Sequence, residues 1–140
     1  MKFKRMIAVA SILVMSMFAT SGATVAQEAQ DRITHAKGQG TLKLGQEQFK
    51  ITAIIVNLLD DQRAELRLVS DIIVFISGTW TQDRESQEIF DLQITGGATP
   101  GGLECTGKLT LAKDSKDVQL ILKGKNRTTK RLVEVYFVGK

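Results

Sequence analysis

The chain carries one histidine, His35, and one cysteine, Cys105, and these two residues set the first limits on its chemistry. A serine or cysteine nucleophile needs an imidazole base held beside it. His35 lies in a polar segment without a regular period, which we expect to be flexible. A zinc site needs three or four protein ligands, which these two side chains cannot supply. Neither nucleophilic catalysis nor zinc binding is therefore predicted.

Cys105 lies in an alternating run in which it shares one face with Leu103 and Leu109. Because side chains alternate between the two faces of a strand, we expect its thiol to be buried with these leucines as a small apolar group. A single cysteine also excludes an intramolecular disulfide. The domain must then be stabilised by the packing of its apolar side chains.

Two groups of carboxylates are the remaining candidates for acid and base catalysis or for calcium binding. Each group lies in a turn-like segment without the spaced oxygen ligands and central glycine of a calcium loop, so we expect solvated turn residues. The groups are Asp60, Asp61 and Glu65, and Asp83, Glu85 and Glu88. The glycine-rich segment 96–102 lacks the lysine and hydroxyl residue that end a phosphate-binding loop. We predict no enzymatic activity, no cofactor and no metal.

A cluster of basic residues surrounds one turn near the end of the chain. Like charges crowded at a loop repel one another, so an anionic partner such as an acidic glycan or a surface of anionic lipid head groups would be favoured. The alternative is a solvated turn whose lysines prevent an exposed strand edge from pairing with other chains. The residues of this basic cluster are Lys123, Lys125, Arg127, Lys130 and Arg131.

Residues 1–26 have the three parts of a signal peptide. Lys2, Lys4 and Arg5 precede an apolar stretch over 6–19 that is too short to span a bilayer, and small residues follow it. We expect this leader to be removed on export to the periplasm or the extracellular space, which leaves no membrane span. The leader holds three of the 19 basic residues and none of the 15 acidic ones, so 16 basic groups remain against 15 acidic groups. Nucleic acid is therefore not an expected partner.

The remainder divides into a polar, flexible segment over 27–38 and a single β domain over 39–140. Eight segments of this domain have strand-like alternation or β-branched content and are separated by turn residues. They indicate an all-β fold, an antiparallel meander of about eight strands that forms either a closed barrel or a two-sheet sandwich. The predicted strands are Thr41–Leu44, Phe49–Leu59, Ala64–Val69, Ile72–Trp80, Glu88–Thr95, Leu103–Leu111, Val118–Lys123 and Arg131–Val138.

Two of the predicted strands are apolar on both faces, over 54–56 and over 72–76. A strand with one solvated face alternates between apolar and polar residues, whereas a strand that is covered on both faces does not. We therefore expect these two strands to be covered on their second face by a terminus, a partner or an oligomer interface.

A G-x-W motif, Gly78-Thr79-Trp80, opens a pattern that continues through 92–96 and 102–107. Over about 30 residues this pattern resembles the opening hairpin of avidin-type barrels among the calycins. The resemblance implies a closed barrel with a ligand inside it, faced by Trp80, Gln82 and Ser86. From the residues alone, Trp80 is predicted to be a core anchor beside a glycine at a strand end.

Two functions remain open at this point. The first is an exported, non-enzymatic module that interacts through its surface or associates with the cell envelope. The alternative is a barrel carrier that binds a small apolar ligand, which the G-x-W motif and the number of strands suggest. An interior filled by side chains favours the first function, and a lined cavity favours the second.

Overall fold

A computed structural model describes residues 32–83 and 87–140, and the regular elements within these ranges are all β-strands. The predicted leader over 1–26 and the predicted ligand-facing residue Ser86 lie outside the described residues. The strands are β1 (Arg32–Leu44), β2 (Glu47–Leu58), β3 (Arg63–Val69), β4 (Ile73–Gln82), β5 (Glu88–Gly97), β6 (Leu103–Leu111), β7 (Val118–Asn126) and β8 (Leu132–Gly139).

The strands form a closed antiparallel barrel. Each strand pairs with the next one along the chain, and β8 returns to pair with β1. The predicted all-β meander is confirmed, and of the two predicted architectures the structure has the barrel. Closure pairs every strand on both sides for part of its length, whereas residues 32–36 of β1 and 47–52 of β2 extend past their neighbours and pair on one side only.

Strand β1 begins at Arg32, which corrects the prediction of a flexible segment over 27–38 for the part of that segment that is described. Its first half, up to Lys37, pairs with β2, and its second half pairs with both β2 and β8. A β-bulge between Lys37 and Gly40 separates the two halves. The early half was missed because Ala36 is its only buried apolar side chain.

The inward side chains fill the barrel. The alternation predicted for β5 is confirmed, since Phe90, Leu92 and Ile94 are all buried, and the same holds for the inward residues of β7. Phe90 and Phe137 are the largest side chains without solvent exposure. Cys105 is 4% exposed within this core, as its alternation predicted. The interior is therefore a packed apolar core, as is usual for barrels of eight strands.

Candidate functional site

Trp80, the first of the predicted ligand-facing residues, packs into the core at one end of the barrel. Its indole N–H donates a hydrogen bond to the carbonyl oxygen of Leu59 at 2.9 Å. Its ring meets the ring of Phe90 edge-on, with 5.5 Å between the two centroids. The indole therefore has both its hydrogen-bond partner and its packing partner within the chain.

Gln82 follows Trp80 at the end of β4 and is exposed, and its register partner in β5 is Phe90. Ser86 belongs to the three residues between β4 and β5 that are not described. The structure thus places Trp80 in the packed end of the barrel and Gln82 on its rim. Because side chains occupy the interior of the barrel, Trp80 contacts the core and Gln82 contacts solvent, and neither of them faces a lined cavity.

The basic cluster divides into two parts. Lys123 and Lys125 lie on the outer wall in β7, where their register partners include Glu134 of β8 and Glu104 of β6. Opposite charges directly across neighbouring strands attract each other, so each of these two lysines has a carboxylate nearby. The sequence could not show this, because it depends on the register of β7 with β6 and β8.

The other three basic residues lie in or beside the turn between β7 and β8, and we call them the tip. Arg127 donates from Nη1 to the carbonyl oxygen of Thr95 at 3.1 Å, which ties the turn to the end of β5. Lys130 has a positive φ of 60°, and Arg131 packs its methylene groups beside Gly45. Because the adjoining strands β7 and β8 are paired on both sides, the interpretation of these charges as protection of an exposed edge loses its basis.

A groove of about 650 Å³ crosses the outer wall of the first four strands. Its apolar lining comes from Ile33 of β1 and from the two strands that the sequence showed to be apolar on both faces, β2 and β4. The side chains of Phe75 and Ile33 are 50% and 61% exposed, and Ile55 is half-buried between them. Ile73, 55% exposed, extends the apolar surface along β4. Exposed apolar side chains that are gathered around one groove in this way are typical of an interaction site.

The side chains of this groove lie in two rows that run across β2, β3 and β4, and both rows contain polar groups. Ile55, Arg67 and Phe75 face one another across β2, β3 and β4 in one row. The guanidinium carbon of Arg67 lies 4.8 Å from the centroid of the Phe75 ring, which is a cation–π contact. In the adjoining row, Glu65 lies between Asn57 of β2 and Ser77 of β4.

Asn57 carries an unmet hydrogen-bonding demand. Its side-chain oxygen Oδ1 is buried, and no group in the described part of the chain donates a hydrogen bond to it. A buried acceptor without a donor costs about 1–3 kcal/mol. Oδ1 is closed off from the surface, so a partner that fills the groove can donate to it only if the Asn57 side chain first turns outward.

His35 also lines this groove, on β1, where its register partner is Ile55. The prediction that it lies in a flexible segment is wrong, and the signal that was missed is the alternation of outward residues around buried Ala36. The sole thiol, on Cys105, points into the barrel from β6 instead. The structure therefore does not bring the only imidazole and the only thiol to one site.

Three of the carboxylates that the sequence singled out, Asp61, Asp83 and Glu88, lie beside basic side chains. Asp61 accepts from Nε of Arg63 at 2.6 Å, and this hydrogen bond lowers the pKa of Asp61. Asp83 lies 3.6 Å from Nζ of Lys108. Among the described residues, no three histidine, cysteine or carboxylate side chains are grouped as metal ligands.

No protein-family model, curated protein or solved structure matches this chain. In the part of the chain that the structure describes, no helix is long and apolar enough to cross a membrane. The function is therefore argued from the barrel wall itself.

Proposed function

We propose that this protein is an exported, non-enzymatic interaction module that acts through the outer wall of its barrel. The observation that carries the proposal is the apolar groove across β1–β4, which stands on a barrel whose interior is already filled. The residues that make β2 and β4 apolar on their second face contribute nothing to the core. Exposure of these apolar side chains to water is unfavourable, and their presence on the outer wall is explained if another surface covers them.

Covering the groove would contribute a favourable free energy, because it buries exposed apolar side chains. Phe75 is half exposed, and burying the rest of its ring contributes about 1 kcal/mol. Ile33 and Ile73 are exposed to a similar extent and add to this free energy.

Site-specific photo-crosslinking in cells that export the protein tests the proposal. A photoreactive amino acid replaces Phe75 in one variant and Tyr136 in the control, because these two aromatic side chains are 50% and 49% exposed on opposite walls of the barrel. We expect a discrete crosslinked product from position 75 and none from position 136. Equal products from both positions, or no product from position 75, would count against an interaction through the groove.

Export is tested separately by sequencing the N-terminus of the protein recovered outside the cytoplasm. The proposal expects a mature chain that begins near Gln27, because the small residues at Thr24-Val25-Ala26 offer a cleavage site. Recovery of Met1 on the exported protein would remove the argument for a cleaved leader.

The carrier function makes a different prediction for the same preparation. A barrel that carries a small apolar ligand would show a mass above that of the mature chain by native mass spectrometry. We expect the unliganded mass, because Phe90, Phe137 and the other inward side chains occupy the interior. A bound small molecule in stoichiometric amount would favour the carrier instead.

A further inference from the structure

We propose that the groove binds the same groove of a second copy of this chain, in a two-fold dimer that pairs Glu65 of each copy with Arg67 of the other. This inference rests on the proposed function, since it names the partner of the same surface. It follows from the order of charges on β3.

Glu65 and Arg67 are both exposed on the outer face of β3. They are two residues apart, which is about 6.6 Å along a strand. Within the described residues, neither of them forms an ion pair with another side chain. The centre of the groove thus presents one negative and one positive charge without an opposite charge in contact.

In the proposed dimer, the groove-bearing walls of the two copies face each other. A two-fold axis lies between these walls, runs perpendicular to β3 and passes at the level of Leu66, so the two β3 strands are antiparallel. Rotation about this axis exchanges the position of residue 65 with that of residue 67. Glu65 of one copy then faces Arg67 of the other, and the reverse pair forms at the same time. The surface is self-complementary, as a two-fold interface requires.

The apolar residues around these charges make the pairing stronger. Phe75, Ile55 and Ile33 of both copies would exclude water from the ion pairs, and screening by salt is weaker for charges that are removed from solvent. A partner surface of one charge sign would satisfy one of the two β3 charges and repel the other. A second copy satisfies both.

The first measurement is the mass of the exported protein by sedimentation equilibrium over a series of concentrations. We expect twice the mass of the mature chain at high concentration and dissociation to the monomer on dilution. A monomer at every concentration overturns the dimer. The crosslinking at position 75 then distinguishes two outcomes. A crosslinked product with another protein would still support the proposed interaction module, whereas the absence of any product would overturn both proposals.

Charge reversal identifies the interface. Glu65→Arg and Arg67→Glu each place like charges opposite each other in the dimer, so we expect each variant alone to dimerise at least about tenfold more weakly. Mixed together, the two variants should form a 1:1 heterodimer, because every facing pair is then opposite in sign. Lys123→Glu, on β7 across the barrel, is the control and should leave the dimer unchanged.

Circular dichroism on each variant confirms that the exposed substitutions leave the barrel folded. Dimerisation that survives both single reversals, or a mixture that does not form a heterodimer, overturns the proposed pairing. A dimer that is lost when residues 27–31 are deleted, but is not affected by the reversals, would assign the contact to that segment instead.

Discussion

Trp80 and Leu59 are joined by a hydrogen bond of 2.9 Å from the indole N–H to the backbone carbonyl oxygen. The bond links β4 to the turn between β2 and β3. The backbone N–H of Trp80 also donates to the carbonyl oxygen of Gln62 in the same turn, at 2.9 Å. One residue therefore fixes this end of the barrel through both its side chain and its backbone.

Replacement of Trp80 by Phe tests the contribution of the indole. The smaller ring still packs near Phe90, but the carbonyl oxygen of Leu59 loses one of its two donors and keeps the backbone N–H of Gln62. We expect the free energy of unfolding to fall by about 0.5–1.5 kcal/mol, measured by urea denaturation. Tyr136→Phe, an exposed aromatic change, is the control and should alter it by less than about 0.5 kcal/mol. Equal stability of the Trp80 variant and the native protein would show that the hydrogen bond contributes nothing net.

The alternating strands were the most predictable part of the fold. In β5 and β7 the core residues occur at every second position, so strand, face and burial follow from the sequence. The first half of β1 was not predictable in this way, because Ala36 is its only buried apolar residue and Ile33 points outward. The sequence therefore placed the start of ordered structure too late.

Only the apolar part of the groove could be predicted from the sequence. The apolar second faces of 54–56 and 72–76 indicated a surface that needs cover. The sequence could not show that Asn57, Glu65 and Ser77 share a row, because this depends on the register of three strands. Register is determined by pairing between segments, which no single segment encodes.

Gly107 is a position where any side chain should be strongly destabilising. It faces into the barrel from β6, and a Cβ atom built on it would overlap the backbone carbonyl oxygen of Ile121 in β7. Because a backbone atom cannot rotate away, β6 and β7 would have to separate. We expect Gly107→Ala to lower the free energy of unfolding by roughly 3 kcal/mol or more, or to prevent folding.

Gly96→Ala is the matched control for Gly107→Ala. The added methyl group at Gly96 meets the side-chain oxygen of Ser77 at 2.9 Å, and a serine side chain can rotate away. Its cost should be clearly smaller in the same urea denaturation experiment. A comparable loss in both variants would show that β-strand glycines in this barrel matter for chain flexibility and not for close strand approach.

Cys105 should be unreactive in the native protein. Burial raises the pKa of its thiol, and the thiolate is the reactive form. We expect a polar thiol reagent to label it slowly in native buffer and rapidly in denaturant. Rapid labelling of the native protein would contradict the inward orientation of this side chain.

The same raised pKa predicts a pH dependence of stability. Below the ordinary pKa of about 8.5, the thiol is neutral in both states and has no effect. Above that pH the unfolded chain loses its proton first, so the free energy of unfolding falls as the pH rises towards the raised folded pKa. Cys105→Ala should lack this part of the decline. Parallel stability profiles for the two proteins would show that the folded thiol ionises as it does in water.

We expect the basic cluster to bind an anionic polymer only through its tip. Lys123 and Lys125 have Glu134 and Glu104 as cross-strand neighbours, whereas Lys130 and Arg131 project near the turn. We therefore expect an immobilised sulfated polysaccharide to retain the protein at low ionic strength. Added salt should release it steeply, because exposed charges are strongly screened.

Two double variants that remove the same charge separate the tip from the wall. Replacing Lys130 and Arg131 by Gln should abolish retention on the polysaccharide and leave the β-rich circular dichroism spectrum unchanged. Replacing Lys123 and Lys125 by Gln should reduce retention much less, because each of these lysines has a carboxylate as its cross-strand neighbour. If both variants lose retention equally, net charge alone governs it. Retention that resists salt, or none at low ionic strength, would leave the tip as a solvated turn with no role in binding an anionic partner.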